Sequence, residues 1–227
     1  MRKTNLHKAV QHAGDIDIMP VDLIEFNSAG RLLIIGDAED VSSVITHLQG
    51  LSLTALVTEG ELAEKDDSLT VIDADVKTIN GWLGDFSVQL DTQLLKFDLI
   101  LDLAEQPSMT NTVLPLGYFA PRNNGQALAE TLQQLPELIG TFDKPRYFNY
   151  KASICAHSRR QLSGCEQCIN ACPADAIIST EDTITVNPSL CQGCGSCTAV
   201  CPSGAISYAL PTLDVSVNRV RKMIQTW

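Results

Sequence analysis

The first 150 residues of this 227-residue chain contain no cysteine; all eight cysteines lie between Cys155 and Cys201. Thiolate chemistry is thereby excluded from most of the sequence and concentrated in one stretch. Basic residues are scarce as well, with Lys+Arg at 16 against Asp+Glu at 27 and a net charge of −11. A phosphate-binding surface needs surplus cations, so nucleic acid is excluded as a partner. No run approaches the roughly 20 apolar residues of a membrane-spanning helix. None follows the basic start "MRKTNLHKAVQHAGDIDIMP" either, so neither a membrane span nor a targeting segment is expected. The expected compartment is the cytoplasm, where clustered cysteines are read as metal ligands before disulfides. His7, His12, His47 and His157 form no ligand pattern. No Ser-His-Asp, Cys-His or paired-carboxylate arrangement follows from spacing, so no catalytic residue is assigned.

Charge is unevenly spread. Residues 1–150 hold 22 acids and 10 bases, net −12, whereas residues 151–227 hold 5 acids and 6 bases, net +1. With the cysteine distribution, this predicts an acidic α/β domain over 1–145 and a cysteine-bearing α+β domain over 146–211. A C-terminal amphipathic helix over 212–227 follows.

The cysteine region is a duplication. "CEQCINACPADAI" (165–177) matches "CGSCTAVCPSGAI" (194–206) at a constant offset of 29. The second copy has a leading cysteine, giving "CQGCGSCTAVCP", the C-x2-C-x2-C-x3-C-P run of a bacterial dicluster ferredoxin. Three closely spaced thiolates wrap one cubane, and the fourth cysteine of each run points to the other cluster. Two [4Fe–4S] clusters are therefore expected. Cys172, Cys191, Cys194 and Cys197 would hold one, and Cys165, Cys168, Cys201 and one more thiolate the other. That vacancy falls to Cys155, because eight thiolates for two four-thiolate clusters leave no remainder. Yet Cys155 lies ten residues before Cys165 rather than three. The intervening loop costs little, about 0.6 kcal/mol per doubling of length. A free Cys155 beside a three-thiolate cluster, or His157 as fourth ligand, are the alternatives. Structural zinc prefers isolated C-x2-4-C pairs a dozen or more residues apart. Gly193 and Gly195 would let backbone N–H groups approach the cluster sulfurs. "AIIST" (176–180) and "TITVN" (183–187) read as a hairpin turning at Glu181-Asp182, and "AISYA" (205–209) as a partner for "RYFNYK" (146–151).

In the acidic region, "VDLIEFNSAGRLLIIGDAED" (21–40) reads as two strands around a turn. A helix with Val41, Val44, Ile45 and Leu48 on one face follows. His47 falls on its exposed side. Further strands are expected at 53–59, 69–74, 85–90 and 97–103, and a helix at 126–139. Strand–Gly36–Asp37–helix raises a flavin or nucleotide site, but G-x-G-x-x-G is absent. The loop 105–125 is long enough to be interfacial or functional. At the tail, Leu213, Val217, Val220, Ile224 and Trp227 form one apolar helical face, expected to pack on the body. That helix ends without a cap, as a fragment of a longer protein would.

"PLGYFAPR" (115–122), "FDKPRYFNYKASICAHSR" (142–159) and "GCEQCINACPADAI" (164–177) resemble a family of bacterial iron–sulfur proteins associated with formate dehydrogenases. The resemblance implies C-A-H-S-R, a short loop and G-C-x-x-C, which makes the displaced Cys155 a family feature. It implies Cys155, Cys165, Cys168, Cys172, Cys191, Cys194, Cys197 and Cys201 as ligands, and nothing catalytic. The expected role is electron transfer to or from a redox partner such as formate dehydrogenase, by a carrier or redox subunit rather than a stand-alone enzyme. An oxidoreductase subunit with a flavin or nucleotide in its first domain and a formate dehydrogenase maturation factor are the rival readings.

Overall fold

The computed structural model describes residues 10–11, 22–62, 69–121, 124–157, 164–180 and 183–226. His7, His12, the loop interior 158–163, the Glu181-Asp182 turn and Trp227 lie outside the described residues. The chain divides into two compact units, Glu25–Asp143 and Met1–Ile24 with Lys144–Trp227.

The unit Glu25–Asp143 opens in β1 (Leu23–Ser28), then β2 (Arg31–Gly36), α1 (Ala38–Ile45), β3 (Ser52–Val57) and β4 (Leu69–Ile72). Next come β5 (Val76–Asn80), β6 (Phe86–Leu90), β7 (Leu94–Phe97), β8 (Leu99–Asp102) and β9 (Tyr118–Phe119). It closes with α2 (Gly125–Gln134), a 3-10 turn (Leu135–Leu138) and β10 (Gly140–Pro145). Five strands form a parallel sheet in the order β4-β3-β2-β8-β9. Strands β5, β6 and β7 form an antiparallel sheet. Side chains alternate across a strand. Leu33 and Ile35 of β2 therefore share one face and join Phe86, Val88 and Phe97 of the antiparallel sheet in one core. Leu32 and Ile34, equally buried, occupy the opposite face. Asp37 caps α1, accepting from the Asp40 N–H at 2.8 Å.

This unit is mostly sheet, where the sequence suggests regular α/β alternation. Strands β5 and β7 add an antiparallel layer that the sequence reading omits. Nor do β1 and β2 form a hairpin, although only Ala29 and Gly30 separate them. Both edges of β2 are taken, by β3 and β8, so β1 pairs with β10 instead. Asp98 fixes the turn between β1 and β2. Its carboxylate accepts from the Ala29 N–H (2.9 Å), the Arg31 N–H (3.0 Å) and the Arg31 guanidinium (2.6 Å). Burial would raise this carboxyl, but those donors hold it below the usual range. The loop 105–125 contributes β9. Its Tyr118 hydroxyl donates to the buried Asp102 at 2.6 Å.

The other unit contains β11 (Phe148–Tyr150), a 3-10 turn (Ala152–Ile154) and α3 (Gln167–Asn170). It continues through β12 (Ile177–Thr180), β13 (Thr183–Val186), α4 (Ser196–Val200), β14 (Ile206–Tyr208) and α5 (Leu213–Thr226). Antiparallel pairs β12–β13 and β11–β14 flank the two short helices. Asp175 (φ 48°) and Gly204 (φ 65°) hold matching left-handed positions in the two copies. Phe148, Cys155, Cys168, Ile177, Ile184, Ala205 and Ile206 form the core. Helix α5 departs from expectation. Val215 is the side chain it buries, while Leu213, Val217, Val220 and Ile224 stand exposed. These four apolar side chains point away from the body rather than packing on it.

Candidate iron–sulfur centre

Each copy of the repeat places its cysteines around one short helix. Cys165 precedes α3, Cys168 lies within it and Cys172 follows it. Cys191 and Cys194 precede α4, Cys197 lies within it and Cys201 follows it. The last cysteine of each run lines the cavity of the other run.

The result is two cavities. One is lined by Cys172, Cys191, Cys194 and Cys197. The other is lined by Cys155, Cys165, Cys168 and Cys201. All eight cysteines are free thiols, and none lines both cavities. Phe148, Ile177 and Val186 make the first cavity's wall apolar, and Ile184 and Ile206 the second's.

Cys155 reaches its cavity because the detour closes on itself. Its N–H donates to Ala152 O at 3.0 Å, ending the 3-10 turn, and its side chain is buried. Two residues on, the backbones of His157 and Gly164 meet. A Cβ placed on Gly164 would lie 2.5 Å from His157 Cα and O. The chain thus returns at Gly164 to the place it left at His157, a neck beside which Cys155 and Cys165 line one cavity. His157 ties the neck. Its Nδ1 lies 3.1 Å from Cys165 O and its Nε2 2.8 Å from Ser179 Oγ. A carbonyl only accepts, so Nδ1 is the protonated nitrogen. With both ring nitrogens engaged by protein groups, His157 is left with none for iron.

Burial and hydrogen-bond donors act on the thiols in opposite directions. Burial first, and then the neighbouring thiolates Cys191, Cys172 and Cys194, push the Cys197 thiol up to about 11. Burial and then Cys155 raise Cys168. Such groups surrender protons when a cation binds. Cys194, the exposed member, is lowered by the Ser196 hydroxyl and N–H. Burial opposes ionisation of Cys201, but the Ile206 N–H, the Ser203 hydroxyl and N–H and the Ala205 N–H outweigh it. The Ala176 N–H donates to Cys172 Sγ at 3.3 Å, and the Gly193 N–H supports Cys191. Donors of this kind stabilise sulfur-borne charge.

The donor set fits a cubane. Four thiols line each cavity, and Cys191, Cys194 and Cys197 keep the C-x2-C-x2-C spacing that wraps one cluster.

Around the first cavity lie groups that the sequence does not advertise. Tyr147 and Tyr208 stack, centroids 6.4 Å apart at 13°, and the Tyr208 hydroxyl donates to Gly193 O at 2.8 Å. Gly193 sits at φ 71°, and a Cβ there would lie 2.7 Å from the Tyr147 ring. Lys144 Nζ donates to Ser189 O (2.7 Å) and Cys191 O (2.8 Å). A lysine in "FDKPRY" reads as an ordinary surface charge; only the fold brings it to a cysteine loop.

Among the described residues, no helix is long and apolar enough to cross a membrane. No curated protein gives a significant match to the chain. Residues 184–207 match a 4Fe-4S binding domain, and residues 153–175 match a second 4Fe-4S binding domain. The first match spans Cys191 to Cys201 and the second Cys155 to Cys172. Two such domains, and two cavities each walled by four thiols, make this an iron–sulfur protein whose cofactors are two [4Fe–4S] clusters.

Proposed function

We propose that the chain relays single electrons between two redox partners. Cys155, Cys165, Cys168 and Cys201 hold one [4Fe–4S] cluster, and Cys172, Cys191, Cys194 and Cys197 hold the other. The observation that carries this reading is the division of eight free thiols, four and four, between two cavities. When bound, each cluster supplies one-electron exchange without bond making in the protein. The residues of the chain bind, dry and tune. Thiols at both ends of α3 and of α4 tie the two centres to shared elements, which keeps them close. Phe148, Ile177, Ile184 and Ile206 keep water from the cavity walls, and backbone N–H groups direct their dipoles at sulfur. The exposed Cys194 gives the first centre a face toward solvent, where a partner can approach.

The partner implied by the resemblance of "PLGYFAPR" and "CAHSR" is a redox enzyme such as formate dehydrogenase. The compartment consistent with eight unpaired thiols is the reducing cytoplasm. Anaerobic purification with iron and sulfide analysis, followed by EPR after reduction, tests the reading. Wild-type chain should hold about eight irons, and Cys155→Ala about four. A wild-type count near four, or a Cys155→Ala protein retaining both centres, overturns the ligand assignment.

A further inference from the structure

Lys144 is a cation built into the loop that carries Cys191. It leaves β10 and reaches two main-chain carbonyls, Ser189 O at 2.7 Å and Cys191 O at 2.8 Å. Those carbonyls flank Leu190 and belong to the segment that delivers Cys191 to its cavity. Two acceptors fix the ammonium in place, so its charge cannot swing into solvent as a surface lysine's does. It is also half-buried, and a charge removed from water acts more strongly on its neighbours. Among the described residues that line the other cavity there is no lysine or arginine.

We propose that Lys144, pinned against Ser189 O and Cys191 O, raises the reduction potential of the centre at Cys172, Cys191, Cys194 and Cys197. The inference rests on the two-cluster reading above. Reduction adds one negative charge to a centre, and a nearby fixed cation stabilises the reduced state over the oxidised one. Lys144 touches no reacting atom; it positions a loop and a charge.

The test compares wild-type chain with Lys144→Gln, Lys144→Met and Lys144→Arg, by iron analysis and EPR-monitored redox titration. Both neutral variants should keep about eight irons. One of their two centres should fall about tenfold in its reduced-to-oxidised ratio at a fixed potential, or 59 mV for a one-electron couple. The other centre should not move, and Lys144→Arg should match wild type. In a Cys155→Ala background, where the Cys172-side centre alone survives, Lys144→Gln should still produce the shift. Eight irons with neither potential moved, or with both moved equally, would overturn the proposal. So would neutral variants that drop to about four irons, because Lys144 would then only hold the loop. A wild-type count far from eight removes the two-cluster reading itself and the inference with it.

Discussion

A methyl group added at Gly164 would fall 2.5 Å from the Cα and carbonyl oxygen of His157, and neither backbone can yield without opening the neck of the loop. Gly164→Ala should therefore release Cys155 from its cavity. The expected outcome is a fall from about eight irons to about four, with one EPR centre left intact. Gly125→Ala is the control. Nothing lies within 4 Å of its added Cβ, and at the first turn of α2 it should stabilise by about 0.4–1 kcal/mol, read as a raised melting temperature. Equal iron in Gly164→Ala and wild type would refute the neck. At this scale the sequence is most legible where chemistry imposes spacing. C-x2-C-x2-C-x3-C identifies Cys165, Cys168, Cys172, Cys191, Cys194, Cys197 and Cys201 as a set. Counting adds Cys155, but nothing in its spacing says how it returns. That answer lies in a through-space contact between two residues separated by the insertion. Lys144 and the Tyr147–Tyr208 stack are hidden for the same reason.

Elements repeat the lesson in another form. Helix α5 shows why a periodic pattern fixes a helix but not its orientation. Leu213, Val217, Val220 and Ile224 fall on one stripe, yet Ile224 is 71% exposed whereas Val215 is 9% exposed. Val220→Lys and Ile224→Lys should accordingly change stability by no more than about 0.5 kcal/mol. Val215→Asp buries an unpaired carboxylate and should cost more than about 2 kcal/mol. Thermal melts of the three variants check this, and a large loss in Ile224→Lys would restore the orientation read from the sequence. The strands β2, β3, β6 and β8 are legible because each is an apolar run bounded by turn residues. Strand β5, "VKTIN", and strand β7, "LLKF", are mostly exposed and carry little signal of their own. They are strands because β6 lies between them and offers both of its edges. The parallel order β4-β3-β2-β8-β9 follows from pairings distant in sequence, which no window of residues encodes.

Across the whole molecule the two units rest on different kinds of core. That of Glu25–Asp143 is hydrocarbon and aromatic, with Leu33, Ile35, Phe86, Val88, Phe97 and Ile100 at its centre. The core of the other unit includes Cys155 and Cys168, with Cys172, Cys191, Cys197 and Cys201 packed against it. Four thiols line each cavity, and a group that binds them only in the folded chain stabilises that fold. Iron should therefore be part of the fold of Lys144–Trp227 and irrelevant to that of Glu25–Asp143. Both segments that link the units, β1 and β10, pair with each other. Asp22 O accepts from the Arg146 N–H at 2.8 Å, and Asn27 Oδ1 from the Thr141 hydroxyl at 2.8 Å. The chain thus leaves and returns at one place, so unfolding of one unit need not pull the other apart. Stripping the iron anaerobically with acid and a chelator should abolish amide protection in β11, β12, β13 and β14. Protection in β2, β3, β6 and β8 should persist, read by hydrogen exchange, and heating should leave a single cooperative transition where holoprotein shows two. If β2 and β8 lost protection together with β12 and β14, the hydrocarbon core would depend on the clusters after all. The two units would then be one cooperative structure.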